Sequence, residues 1–437
     1  MNKDEIIGVF ENIARLLELK GENPFKIRAY LHASKALETL AEPLEKLIAE
    51  ERLVAVDGIG KATAEKIATL STTGRLDYYN DLRDEFPPDI LTLFDIQGLG
   101  GKKIKALWDS LKIHSVTSLE RACKDGRVAT LPGFGEKTAT NILKAIEHMR
   151  SWKIGDVEIT RIVEVNAWED DITMLLPDAT PATVQAYPWL LPHYATPDGK
   201  MLISFQCFVM RTPTRQIMLD TCIGNDRRRE FPVFTNMQTS FLADLAHAGF
   251  TPESIDTVLC THLHFDHVGW NTQLVNGKWV PTFPNARYLF GRLEYEHWLM
   301  LEATHGYHDL NHMGDSIRPV VDAGLVDLIE PDHRICPELS LLPTPGHTPG
   351  HVSICIESKG EKAIITGDMM HHPIQLERPG QLARFDMDGK VACNTRVSFV
   401  ERVANSGTFV IGSHFNEPTG GYVVRDAHGC RLQQNQQ

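Results

Sequence analysis

Hydrophobic residues recur at two different spacings in the two parts of the chain. In the first part, Ile6, Phe10, Ile13 and Leu17 follow one another every three or four residues, which predicts an amphipathic helix. Beyond residue 150, short apolar runs alternate with Pro/Gly turns, which predicts strands with occasional helices such as 240–248. The pattern therefore predicts a multidomain protein with an all-α first part and a mixed α/β second part.

The change of spacing predicts a domain boundary at about 151–155, before a strand pattern that begins at Val157. At 437 residues the chain is too long for one ordinary core, which favours two or three domains. We predict a helical domain over 1–70, a second helical segment over 71–150 and an α/β domain over 155–437.

Composition places the chain among globular proteins, with 42% hydrophobic and 23% charged residues. The first residues do not form the apolar segment of a signal peptide, and no apolar stretch is long enough to cross a membrane. The eight cysteines include no Cys-x-x-Cys pair, so we expect reduced thiols. These features predict a cytoplasmic protein with no membrane partner and argue against a secreted one.

A cluster of histidines and one aspartate follows the apolar run 255–259. His262 and His264 alternate in an extended segment, so both can reach one metal, and Asp266 and His267 follow where the chain turns, so they can face a second. Imidazole and carboxylate suit zinc and neighbouring transition metals. The alternative is a surface histidine cluster without a metal. Single potential ligands beside glycines further along the chain argue against that alternative, and they are His347, Asp368 and His414.

Together with Asp220, which ends an apolar run upstream, these motifs resemble in order the five motifs of the metallo-β-lactamase superfamily, over about residues 155–430. The resemblance implies an αβ/βα sandwich with two divalent ions, expected to be zinc. It assigns one ion to His262, His264 and His347. It assigns the other to Asp266, His267 and His414. Asp368 then bridges the two ions and Asp220 orients a ligand, while His351 is expected to be structural.

Two divalent ions that share a water lower its pKa enough to form hydroxide at neutral pH, and they polarise a carbonyl or phosphoryl oxygen. Asp266 is therefore a candidate catalytic residue as well as a ligand, and no Gly-x-Ser-x-Gly nucleophile occurs in this part. The predicted reaction class is metal-assisted hydrolysis.

Three glycine turns recur in the first part, each followed by helix-forming residues and a lysine. They are Gly58, Gly60 and Lys61, then Gly98, Gly100 and Lys102, then Gly133, Gly135 and Lys137. Such turns expose amide groups at a helix N-terminus and resemble helix-hairpin-helix elements, which grip a DNA backbone without reading its sequence. The alternative is that the hairpins only pack on one another, because residues 1–150 hold 22 basic and 23 acidic residues.

The order of these turns, after the segment 23–30, resembles the N-terminal region of bacterial X-family DNA polymerases. By that resemblance, Lys66 aligns with the lysine that forms a Schiff base in members with lyase activity; the alternative is a solvated helix lysine. No polymerase palm follows residue 150, so we expect no polymerase activity. The abrupt join indicates a fusion, natural or engineered.

The segments around Asp220, His267 and Asp368 look similar to lactonase-like and organophosphate-hydrolase-like members. The favoured hypothesis is a hydrolase of a small neutral lactone, ester or phosphotriester, with a DNA-binding appendage. The alternatives are a DNA-repair nuclease or phosphodiesterase fed by the hairpins, and a DNA-tethering module with an inactive metal part. Residues 151–437 hold 22 basic and 34 acidic residues, which opposes a polyanionic substrate. Apolar residues near the motifs, candidates for a pocket or for ordinary core, are Phe231, Phe234, Met237, Trp270 and Phe415.

Overall fold

A computed structural model describes residues 1, 3–40, 42–96, 98–149, 151–305, 312–427 and 429–434. The chain divides into two compact units. The first comprises Met1–Met149 together with Gln185–Pro197, and the second comprises Arg150–Val184 and Asp198–Gln437.

The first unit is helical, as its apolar spacing predicts. Its helices over the described residues are α1 (Lys3–Lys20), α2 (Pro24–Glu38), α3 (Leu44–Ala49), α4 (Lys61–Thr73), α5 (Asp77–Asp84), α6 (Gly101–Leu111), α7 (Val116–Lys124) and α8 (Gly135–Met149). Ile6, Phe10 and Ile13 of α1 are fully buried in one core with Leu37 and Ile67, so one face of α1 forms the centre of the unit.

Two seven-stranded sheets form the second unit. The first sheet, in spatial order, contains β1 (Ser151–Ile154), β2 (Val157–Asp170), β3 (Met201–Arg211), β4 (Gln216–Leu219), β5 (Thr257–Leu259), β8 (Arg287–Gly291) and β9 (Val326–Ile329). The second contains β10 (Arg334–Cys336), β11 (Leu339–Pro343), β12 (Val352–Ser358), β13 (Glu361–Ile365), β14 (Phe409–Ile411), β15 (Gly420–Asp426) and β16 (Gly429–Gln433). A separate hairpin pairs β6 (Thr272–Val275) with β7 (Lys278–Pro281).

Helices accompany both sheets, namely α9 (Pro181–Gln185), α10 (Phe241–His247), α11 (Phe265–Val268), α12 (Arg292–His305), α13 (Arg318–Asp322), α14 (Ile374–Glu377) and α15 (Gly389–Val403). The facing sides of the sheets share one core, in which Phe208 and Leu219 of the first sheet pack with Ile354 and Ile365 of the second. A second core buries Phe241 of α10 behind the first sheet, and α15 contacts β15 of the second. The order helix, sheet, sheet, helix is the αβ/βα sandwich that the resemblance implies.

Two details differ from the predicted segment boundaries. β1 precedes the predicted start at residue 155, because Gly155, at φ +57°, turns it into an antiparallel hairpin with β2. The segment Gln185–Pro197 groups with the first unit although it lies within the predicted α/β domain. Among the described residues, no helix combines the length and the apolar character needed to cross a membrane.

Candidate active site

The ends of parallel strands bring the candidate ligands together. β4 pairs in parallel with β5, and β13 pairs in parallel with β14. Asp220 follows β4, the histidine cluster follows β5, and Asp368 and His414 follow β13 and β14. The carboxyl ends of parallel strands lie at one edge of their sheet. The two sheets place these edges side by side, so the four segments bring their side chains to one place.

Three imidazole nitrogens form a close triangle in the first candidate group. His262 Nε2 lies 2.9 Å from His264 Nδ1 and 3.2 Å from His347 Nε2, and the last two nitrogens are 2.8 Å apart. A single N–H proton cannot form hydrogen bonds that link three nitrogens pointing at one another. Nitrogens bound to one tetrahedral zinc lie about 3.4 Å apart, so this triangle fits a single ion.

The second candidate group joins Asp266, His267 and His414. The Nε2 atoms of the two histidines are 3.2 Å apart, and Asp266 Oδ2 lies 3.6 and 3.5 Å from them. Ligand atoms of each group, with Asp368 included in both, lie within 4.8 Å of one another. The donor set of nitrogen and carboxylate oxygen suits zinc.

Asp368 faces both groups, one oxygen to each. Its Oδ1 lies 3.1 Å from the Nε2 atoms of His267 and His414, and its Oδ2 lies 3.8 and 3.5 Å from those of His262 and His347. Within the described residues, the buried Oδ1 accepts no hydrogen bond. A buried carboxylate is costly unless positive charge pairs with it, and here that charge can come from protonated His267 and His414 or from a bound cation.

Burial lowers the pKa values of the three histidines of the first group, to about 3 for His264 and well below the usual range for His262 and His347. Burial penalises the charged imidazole, so these rings are neutral at pH 7. Neutral imidazole is the form that binds metal.

Electrostatics differ in the second group. Burial opposes charge on His267 and His414, but the neighbouring carboxylates together outweigh it and raise both pKa values: Asp368 and Asp266 act on both rings, and Asp220 also acts on His267. Conversely, burial favours a protonated Asp368, but the charges of His267 and His414 outweigh it and hold its pKa well below the usual range. Positive charge is therefore stabilised at this point, and a bound cation can replace these protons.

Polar neighbours fix the orientation of several candidate ligands. Asp220 Oδ2 lies 2.9 Å from His267 Nδ1, while its Oδ1 accepts the backbone N–H of Thr261 at 2.8 Å. His414 Nδ1 lies 2.9 Å from the Ser204 carbonyl oxygen. His351 Nε2 accepts the backbone N–H of Asp368 at 2.8 Å, so it positions the shared carboxylate. These contacts are the kind that set histidine tautomers at metal sites.

A buried glutamate links two ligand loops. Glu294 is 1% exposed; its Oε1 accepts the N–H of Leu263 at 3.2 Å and its Oε2 accepts that of Gly350 at 3.0 Å. Leu263 stands between two histidines of the first group, and Gly350 follows His347 by three positions. The carboxylate therefore holds the two loops in register.

One glycine permits the close packing of the turn after α11, the short helix that carries His267. A Cβ at Gly269 would lie 2.0 Å from the backbone carbon and oxygen of Ile223, so any side chain at this position would clash with the backbone. The Gly269 N–H donates to the Cys222 carbonyl at 2.7 Å, and Thr221 N–H donates to the His267 carbonyl at 2.7 Å. This contact ties the loop after β4 to the histidine cluster.

The candidate ligands open into a pocket of about 730 Å³. Its wall contains a continuous series of aromatic rings, with neighbouring ring centres 5.0–6.4 Å apart. These rings belong to Trp168, Phe205, Phe231, Phe234, Phe265 and Phe385. Aliphatic side chains extend the wall, namely Met174, Leu175, Met201, Ile203, Val233, Leu301, Met313 and Met387. The size and apolar wall are typical of small-molecule sites.

The sequence identified only part of this pocket. Of the five apolar residues considered above, Phe231 and Phe234 line it. Met237 packs against the cluster that contains Phe234, Trp270 stacks on Phe241 in the core, and Phe415 is fully buried. It missed His371, which lines the pocket with its Nε2 3.2 Å from Asp368 Oδ2. His371 lies just beyond the short helical turn that holds Asp368, and a histidine so close to a candidate ligand could have indicated it.

The three glycine turns of the first unit each precede a helix. Gly58, Gly98 and Gly133 have φ values of +90°, +89° and +84°, which glycine adopts without strain. Gly60 and Gly100 cap α4 and α6, and Gly135 begins α8. Exposed lysines stand beside all three turns, namely Lys61, Lys102 and Lys137. This arrangement is the one expected of helix-hairpin-helix elements.

Lys66 lies on α4 beside two tyrosines. Its Nζ is 5.2 Å from the ring centre of Tyr78 and 5.9 Å from that of Tyr30, within cation–π range. Whether Lys66 forms a Schiff base stays a prediction, which borohydride trapping on an abasic DNA substrate would test.

Residues 206–415 match the family model of the metallo-beta-lactamase superfamily. The chain carries a metallo-β-lactamase domain. Residues 1–76 match a helix-hairpin-helix domain and residues 90–147 match a SAM-like helix-hairpin-helix tandem. The predicted fold class and both resemblances are confirmed, and the family match and the lactonase relatives indicate a metal-dependent hydrolase.

Curated relatives match the two units separately. The metallo-β-lactamase domain is 27% identical to an N-acyl homoserine lactonase from a Bacillus species over 207 residues, which are 44% of this chain and 74% of the lactonase. The helical unit is 38% identical to the DNA polymerase/3′-5′ exonuclease PolX of Bacillus subtilis over 146 residues, which are 33% of this chain and 25% of the polymerase. The chain thus spans about a quarter of the length of that polymerase.

Solved structures share the fold of the second unit. The hydrolase AbOPH of the beta lactamase superfamily is 24% identical with a TM-score of 0.55, covering 66% of this chain and 97% of its own. AidC, a dizinc quorum-quenching lactonase, is 20% identical with a TM-score of 0.52 and the same coverage. At these identities the likeness shows the fold alone.

Proposed function

We propose that the metallo-β-lactamase domain is a dinuclear-metal hydrolase of a small neutral lactone, ester or phosphotriester, and that the helical unit binds DNA without sequence preference. The observation that carries the first part is Asp368, whose two oxygens face two separate ligand groups beside an aromatic pocket. Two ions, expected to be zinc, would be held by His262, His264 and His347 and by Asp266, His267 and His414, with Asp368 shared.

When bound, such an ion pair supplies a hydroxide nucleophile and polarises the oxygen of the scissile group. The protein's own residues do the remaining work. Asp266 borders the pocket with its side chain 11% exposed, so its carboxylate can accept the proton of the attacking water. The aromatic wall excludes bulk water and holds the apolar part of the substrate.

Charge in the pocket favours a neutral substrate. Two arginines line the wall, and both have partners within the protein: the Arg229 guanidinium donates to Asp315 at 2.7 and 3.2 Å, and Arg384 Nη2 donates to the Thr173 carbonyl at 3.0 Å. The domain's excess of acidic residues repels polyanions. The lactonase relative, which covers the domain at 27% identity, acts on a neutral cyclic ester by its name.

The DNA-binding proposal rests on the three glycine turns and their exposed lysines. The helices α4 and α6 begin after Gly60 and Gly100, so no side chain caps their first backbone N–H groups. Helix N-termini of this kind are suited to bind phosphate oxygens. Lys61, Lys102 and Lys137 add charge beside these turns. Phosphate contacts of this kind carry affinity without sequence information.

The first experiment measures zinc content and turnover of an aryl ester and a lactone in the wild type and in Asp368→Ala. We expect about two ions per chain in the wild type and loss of most zinc and turnover in the variant, because the shared ligand is gone. Asp327→Ala, which removes a surface ion pair with Arg287, is the control. Full activity in Asp368→Ala would refute the dinuclear assignment.

The helix-hairpin-helix unit favours one alternative, a DNA phosphodiesterase. The triple variant Lys61→Ala, Lys102→Ala and Lys137→Ala in the full chain separates the two functions. We expect ester turnover to be unchanged and DNA binding to weaken. Cleavage of gapped DNA that requires both Asp368 and the three lysines, with no turnover of neutral esters, would establish the alternative.

A further inference from the structure

His347 has a buried nitrogen on the side away from the other histidines. Its Nε2 belongs to the triangle of the first group, while its Nδ1 is buried and has no hydrogen-bond partner among the described residues. Asp386 Oδ1 is also buried and without a hydrogen-bond partner in that same described part. The two atoms lie 3.5 Å apart. A small rotation of either side chain therefore closes a hydrogen bond that satisfies both.

Asp386 is held in place by a buried arginine. Its side chain is 0% exposed, and its other oxygen, Oδ2, accepts from Arg396 Nη1 at 2.9 Å. Arg396 also donates to the carbonyls of Pro379 and Gln381, at 3.1 and 2.9 Å. The guanidinium therefore fixes the segment 379–386 and compensates the charge of the carboxylate within the fold.

The same segment is attached to the backbone around His347. The Met387 N–H donates to the His347 carbonyl at 3.0 Å, and the Asp388 N–H donates to the Gly346 carbonyl at 2.9 Å. A Cβ at Gly346 would lie 2.2 Å from the backbone nitrogen of Ala392, so α15 packs directly on this loop. Movement of the segment 379–388 would thus move His347.

We propose that Asp386 is the positioning residue for His347. Its carboxylate accepts the His347 Nδ1–H and so fixes the tautomer whose Nε2 lone pair faces the first group of candidate ligands. Through the adjacent residue Phe385, it also connects that group to the pocket wall. The inference rests on the proposed metal centre. Phe385 is the residue before Asp386 and lines the pocket, with its ring centre 6.3 Å from that of His371. Acceptors of this kind raise the basicity of a ligating histidine and hold its ring.

The test compares zinc affinity, by chelator competition, in full-length wild type, Asp386→Ala and Asp386→Ala/Arg396→Met. The double variant removes both charges of the buried pair, so it guards against unfolding caused by an unpaired Arg396. We expect one of the two ions to bind about 10-fold to 100-fold more weakly in both variants. Excess zinc should restore turnover, which it would not do for a general loss of folding.

The control is Asp388→Ala in the same segment, which removes only the cap that Asp388 Oδ1 provides to the Val391 N–H at 3.0 Å. Its zinc affinity should match the wild type. In proton NMR spectra of the zinc-loaded protein, one slowly exchanging imidazole N–H signal should disappear in the Asp386 variants alone. Zinc affinities within twofold of the wild type in both Asp386 variants would overturn the inference. A wild type that binds no zinc would instead refute the proposed function.

Discussion

Asp220→Asn tests how the second group of ligands is oriented. Asp220 is 2% exposed at φ +57°, a left-handed conformation that asparagine also adopts readily. The amide oxygen of asparagine can still accept the Thr261 N–H that Asp220 accepts at 2.8 Å. Its NH2 group then faces His267 Nδ1, which lies 2.9 Å from the carboxylate oxygen. A donor in that position favours the tautomer with the proton on Nε2, the atom that faces Asp368.

The expected effect is a loss of zinc affinity with little loss of folding. Changing a partner of this kind weakens metal binding about 10-fold to 100-fold, or about 1.4 to 2.8 kcal/mol. The free energy of unfolding of the metal-free protein should fall by about 1–3 kcal/mol, because one charge-assisted hydrogen bond is lost. Chelator competition measures the first quantity and urea unfolding the second.

Asp226→Asn is the matched control, since Asp226 has φ +63° in the same loop but is exposed. It should change neither quantity. The reasoning fails if Asp220→Asn binds two zinc ions with wild-type affinity, or if Asp226→Asn loses affinity equally.

Three further results are expected. Burial lowers the pKa of His351 to about 3, below its value in the unfolded chain, so the folded protein loses stability as pH falls from 6.5 towards 3. In the metal-free protein, His351→Gln should therefore reduce the pH dependence of the free energy of unfolding in urea by about 1.4 kcal/mol per pH unit between pH 6 and 4. An unchanged slope would contradict this. Phe385→Ala should raise KM for an aryl ester about 3-fold to 10-fold through lost ring contacts, unlike the control Phe25→Ala, which changes an exposed ring of the first unit. Replacing Lys61, Lys102 and Lys137 by alanine should lower the slope of log binding constant against log salt for gapped DNA by about 3, whereas replacing the exposed Lys278, Lys359 and Lys390 should not.

The sequence predicted the fold because the fold depends on local patterns, and the structure brings together the candidate ligands that the sequence named. Ile6, Phe10 and Ile13 revealed α1 through their spacing, and the His262–His267 cluster stands in one short segment that ends in α11. Ligands from distant segments were found only because each stands beside a glycine at a strand end, in the order of a known family. Such motifs are constrained by metal chemistry and therefore stay recognisable.

The pocket wall and the supporting contacts could not be read in the same way. Phe265 follows a histidine motif, but Trp168 and Phe385 come from opposite ends of the domain, and nothing in their local sequence indicates that they converge. Asp386 pairs with Arg396 ten residues later and faces His347 from another loop. These relations depend on how the two sheets bring distant loops together.

The two groups of candidate ligands share one carboxylate, Asp368. In the proposed metal centre, binding of a metal ion to one group would therefore affect the binding of a metal ion to the other and could promote joint loading. Repulsion between two nearby cations acts in the opposite direction. Where the first effect is larger, a metal-starved population divides into empty and fully loaded molecules. Activity of such a population would then rise with free metal more steeply than for two independently bound ions, because both proposed metal sites depend on one side chain.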